Sequence, residues 1–165
     1  MKCSLRLLAA VMFFAAIVSV NSSASSLVCS AGPTSIKTGN NAYQVIYTCT
    51  IPANTVSTNR SIRLNTFVLG SANTTITTEV TLDGVVILNY TRNYMHYWDL
   101  TIMNTGATTA VATGIMPLSV YSGMQPWYAS VSGVSWASAQ SLQVSFSSTT
   151  SGTAQGMTFT VENVN

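Results

Sequence analysis

The stretch from Ile76 to Tyr90 constrains this chain more than any other. Ile76, Thr78, Val80 and Leu82 alternate with Thr77, Glu79 and Thr81, Asp83-Gly84 follows at once, and Val85 to Tyr90 is again rich in β-formers. Alternation with a period of two marks a strand with one buried face, and Asp-Gly between two such runs is the residue pair that a two-residue hairpin loop demands. A hairpin here commits its neighbours to sheet.

The same grammar recurs along the chain. Tyr43, Val45, Tyr47 and Cys49 alternate up to Pro52, with the Cys49 face expected inward. Ile62, Leu64, Thr66 and Val68 share a face, while Arg63, Asn65 and Phe67 fall on the other with no evident partner. Trp98, Leu100 and Ile102 form a third core face, Asn104-Thr105-Gly106 reads as a hairpin turn, and a strand runs from Thr108 to Met116 before Pro117. Leu118 to Ala139 reads as a long aromatic loop with at most one short strand. Leu142, Val144 and Phe146, then Met157, Phe159 and Val161, complete the pattern around a small-residue loop at Ser148 to Gly156. The expected fold is all-β: an antiparallel β-sandwich, jelly-roll-like, of eight or nine short strands.

The N-terminus carries targeting signals. Lys2 and Arg6 precede an uncharged apolar run from Leu7 to Val20, and Ser22-Ser23-Ala24 supplies the small residues of a cleavage site. We expect a signal peptide over residues 1–24 and one domain over 25–165, secreted or extracytoplasmic; the alternative is retention of the run as an anchor. Cys3 leaves with the leader. The remaining pair, Cys29 and Cys49, is expected to form one disulfide in an oxidising compartment, the alternative being two buried thiols.

Charge excludes several functions. Only 6% of the 165 residues are charged, against about 25% in an ordinary soluble protein. Past the leader Lys37, Arg60, Arg63 and Arg92 balance Glu79, Asp83, Asp99 and Glu162, so nothing argues for nucleic acid or, once the leader is gone, for a membrane partner. His96 is the one histidine, with no cysteine or second histidine near it in sequence and with the nearby Asp99 on the opposite strand face, which argues against a metal or other cofactor. Of the four carboxylates, only Glu79 with Asp99 is left as a conceivable hydrolytic pair, and no nucleophile elbow appears. The chain is expected to be non-enzymatic.

Ile51-Pro52-Ala53-Asn54-Thr55, Ser61-Ile62-Arg63-Leu64, Ala72-Asn73 and Leu82-Asp83-Gly84 together resemble the jelly-roll modules of tailed-phage structural and appendage proteins. The resemblance implies a structural module, often trimeric, that builds a fibre, spike or capsid decoration or binds a cell-surface glycan. The chain adds a leader and a cysteine pair to that pattern. The leading expectation is therefore a self-associating structural module, virion- or appendage-like, that forms a homo-oligomer. The alternative is a carbohydrate-binding module that uses Tyr121, Trp127, Tyr128 and Trp136, whose rings could stack on sugars or equally fill a core or an interface.

Overall fold

A computed structural model describes residues 26–38, 42–70, 75–93, 95–117, 124–148 and 152–164. The expected leader and Tyr121 lie outside the described residues. Among the described residues eleven strands form two antiparallel sheets, and there is no helix.

The Asp83-Gly84 hairpin is the key to the topology. β5 (Thr75–Leu82) and β6 (Val85–Asn93) pair with Leu82 opposite Val85, so the loop is two residues long. Asp83 and Gly84 both have positive φ, 51° and 81°, as a type I′ turn requires. From this tip the chain runs back as one long ribbon. β4 (Ser61–Gly70) lies beside β7 (Met95–Gly106), and β3 (Gln44–Ile51) beside β10 (Gln140–Ser147). Last come β1 (Ser26–Ala31) and β2 (Thr34–Thr38), both beside β11 (Gly152–Val164).

The ribbon then rolls, bringing β4 against β11 and β5 against β10. This is a jelly roll. The returning arm carries an extra hairpin, β8 (Thr109–Pro117) and β9 (Met124–Ser132), which extends the larger sheet. The sheets read β1-β11-β4-β7-β8-β9, with β2 also on β11, and β3-β10-β5-β6.

The core is what the alternation predicts. Ile62, Leu64, Thr66, Val68, Trp98, Leu100 and Ile102 from the large sheet meet Ile76, Val80, Leu82, Leu142, Val144 and Phe146 from the small one, all fully buried. The sandwich closes on both sides, because β6 touches β9 and β3 touches β1, β2 and β11. The Cys29–Cys49 disulfide spans that second seam, joining β1 to β3 with Cα atoms 6.1 Å apart.

Four expectations need correction. There are eleven strands rather than eight or nine, partly because Gly32-Pro33 breaks the N-terminal strand in two: proline has no N–H to give a ladder. Tyr43 and Val45 are exposed, not core. A bulge leaves Ile46 unpaired between Val45 and Tyr47, and one extra residue flips everything before it to the other face. The turn expected at Asn104-Thr105-Gly106 sits at Ala107-Thr108, since Gly106 pairs with Thr109. Finally, β11 begins at Gly152, inside the expected Ser148 to Gly156 loop.

Candidate functional site

The expected aromatic loop is a strand for most of its described length. β9 pairs with β8 along nine residues, Gly114 facing Trp127 and Thr113 facing Tyr128. Period two therefore sends the two rings to opposite faces. Trp127 points inward and packs half-buried against the core. Gly114 beside it has no room for a side chain, since a Cβ would lie 2.5 Å from Leu100 Cδ2 and 2.7 Å from the Asp99 carbonyl.

Trp136 lies in the turn after β9 and is 6% exposed. Its Nε1 donates to the Thr109 carbonyl at 3.2 Å, and its own carbonyl accepts from Asn54 N at 3.0 Å. It holds the segment after β3 onto the sandwich and is buried nearly throughout. Tyr128, at 64% exposed, is the one accessible ring among the three described positions of that expected site.

Tyr128 does not stand alone. Antiparallel register aligns Glu162 on β11, Arg63 on β4, Thr101 on β7, Thr113 on β8 and Tyr128 on β9 in one row across the outer face of the large sheet. The next row runs Thr160, Asn65, Asp99, Ile115, Pro126. Arg63 reaches diagonally to Asp99, donating from Nε to Oδ1 at 2.7 Å and from Nη2 to Oδ2 at 2.5 Å. The hydrogen bond to Asp99, that carboxylate's charge and, further off, Glu162 raise the Arg63 pKa above the ordinary arginine value, so the guanidinium is permanently charged.

The row has long side chains at its ends and short ones in its middle. Thr101 and Thr113 form a floor between Arg63 on one side and Tyr128 on the other, leaving an open groove of about 770 Å³. Tyr128 Oη lies 3.1 Å from Ser130 Oγ, two residues along the same strand. Residues two apart on a strand are separated by about 6.6 Å, so that contact lays the ring along β9 rather than letting it stand off the sheet.

The sequence alone shows no partner for Arg63. The outward position of Arg63 and of Asp99 was readable, but their meeting depends on the β4–β7 register, which no local pattern encodes. The carboxylates considered as a hydrolytic pair are not brought together: Glu79 lies on the outer face of the small sheet and Asp99 on that of the large one. His96 is in β7, opposite Val68. Among the described residues no group of three or more His, Cys, Asp or Glu could hold a metal, and no helix is long and apolar enough to cross a membrane.

Compared with known proteins, the chain matches no family model, no curated protein and no solved structure. Its function must be argued from its own surfaces.

Proposed function

We propose that this protein is an exported, non-enzymatic structural module that assembles with copies of itself through the outer face of its four-stranded sheet. The observation that carries the reading is the chemistry of that face. Its outward positions include Val45, Thr48, Thr77, Thr81, Val86, Gln143 and Thr91, and among the residues whose side chains are described Glu79 is its one charged side chain. Asn89 Nδ2 donates to Glu79 Oε2 at 3.1 Å and to Tyr43 Oη at 2.8 Å, so even that charge is held within the surface.

Val45 and Val86 are about half exposed, 50% and 49%. A hydroxyl and aliphatic face whose described charge, Glu79, is already hydrogen-bonded in place can be covered by another such face at modest desolvation cost. The disulfide suits an oxidising compartment outside the cytosol, and the jelly-roll strand order agrees with the resemblance to phage appendage modules. A homo-oligomer, trimeric if that resemblance extends to assembly, is the expected state.

Multi-angle light scattering on the mature chain tests this. A defined oligomer is expected at micromolar concentration, and Val45→Lys, which plants a charge in the face, should dissociate it with the circular dichroism spectrum unchanged. A strict monomer for the native chain would overturn the proposal.

A further inference from the structure

We infer that the groove on the opposite face, between the Arg63–Asp99 pair and Tyr128, is a binding site for an uncharged pyranose glycan. It is separate from the assembly face: the groove lies on the large sheet and the uncharged face on the small one.

Three features point to the ligand. The Arg63–Asp99 pair is bidentate and exposed on the guanidinium side, Arg63 being 49% and Asp99 18% accessible. A guanidinium has five N–H donors and two are used by Asp99, so three remain, next to carboxylate lone pairs that still accept. Adjacent donors and acceptors in one plane match vicinal hydroxyls, each of which both donates and accepts.

The second feature is Tyr128, 64% exposed and held along the strand by Ser130. A pyranose ring has an apolar face of C–H groups that packs on an aromatic ring, while its hydroxyls point outward to polar partners. Arg63 and Tyr128 are three strand spacings apart, about 14 Å, so the apolar and polar anchors engage different parts of a chain of sugars rather than one ring. The Thr101 and Thr113 floor supplies hydroxyls and short methyl groups between them.

The third feature selects the charge of the ligand. Asp99 neutralises Arg63, and Glu162 stands directly opposite Arg63 on β11 with no second cation among the residues lining the groove. The site is net negative by one carboxylate. Anionic sugars, phosphates and sulfates are therefore disfavoured relative to an uncharged glycan.

The test is titration calorimetry of the full mature chain against a panel of uncharged oligosaccharides that includes cellotriose and chitotriose, with sialyllactose as the anionic member. Binding of at least one uncharged oligosaccharide and none of sialyllactose is expected. Tyr128→Ala should weaken it about tenfold, and Thr113→Lys, which fills the floor, should abolish it. Val45→Lys, on the other sheet, should leave it unchanged. The inference is overturned if no uncharged member binds, if sialyllactose alone binds, or if Tyr128→Ala and Thr113→Lys both bind as the native chain does. Glycan binding by a monomer would support this site while removing the assembly proposal, so the two readings fail separately.

Discussion

Gly156 lies beneath the ring of Tyr47, and the pair shows how a few residues set the spacing of the two sheets. Tyr47 projects inward from β3, stacks on Phe159 with ring centroids 4.7 Å apart, and donates its phenol to the Gly32 carbonyl at 3.1 Å. Burial raises its pKa, which keeps the phenol protonated and able to donate. A Cβ at position 156 would come within 2.5 Å of the Tyr47 hydroxyl and 2.7 Å of two ring carbons. The glycine is thus required by a close approach of the ring to backbone, not by an unusual φ. Gly156→Ala should destabilise the fold by about 1–3 kcal/mol, the usual range for overpacking, read as a lower urea midpoint with an unchanged slope. Tyr47 was legible in the sequence as a core residue; the demand it makes on Gly156 was not, because the two are over a hundred residues apart.

At the scale of elements, the segment between β3 and β4, held near its start by the Trp136 carbonyl, is anchored further along by a buried amide. Asn104, 4% exposed, donates from Nδ2 to the Val56 carbonyl at 2.8 Å and accepts from Gly106 N at 3.0 Å. Its backbone pairs with Asn59 N and the Arg60 carbonyl, at 2.8 and 2.9 Å. Asn54 and Asn59 take positive φ, 59° and 65°, conformations asparagine tolerates better than most residues, so the segment can fold back tightly enough to reach that amide. Asn104→Ala leaves the Val56 carbonyl and Gly106 N without that partner and should cost about 2 kcal/mol. Proteolysis should then cut first between Thr55 and Arg60. An asparagine near a glycine reads locally as a turn, and for that reason the sequence misplaces this hairpin by about two residues. What draws Asn104 into β7 is its contact with a segment more than forty residues earlier.

For the whole molecule, closure of the sandwich depends on its seams. One is covalent: Cys29–Cys49 ties the edge of the large sheet to the edge of the small one across a sequence separation of 20. Replacing both cysteines with alanine should lower stability by about 3 kcal/mol on the chain-entropy account, seen as an earlier urea midpoint that reduction of the native chain reproduces. The sequence by itself determined the all-β class, the inward residues of β4, β5, β7 and β10, the Asp83-Gly84 turn and the cysteine pairing. Each follows from a period of two, from local turn chemistry or from the two cysteines that lie past the N-terminal apolar run. Tertiary structure alone decided which strands are neighbours, that a bulge at Ile46 turns Tyr43 and Val45 outward, and that Trp136 is core while Tyr128 is surface. It also decided that Glu162, Arg63, Thr101, Thr113 and Tyr128 form one row. Register between strands distant in the chain is set by the packing of the entire core, so a groove built across five strands has no signature in any one of them.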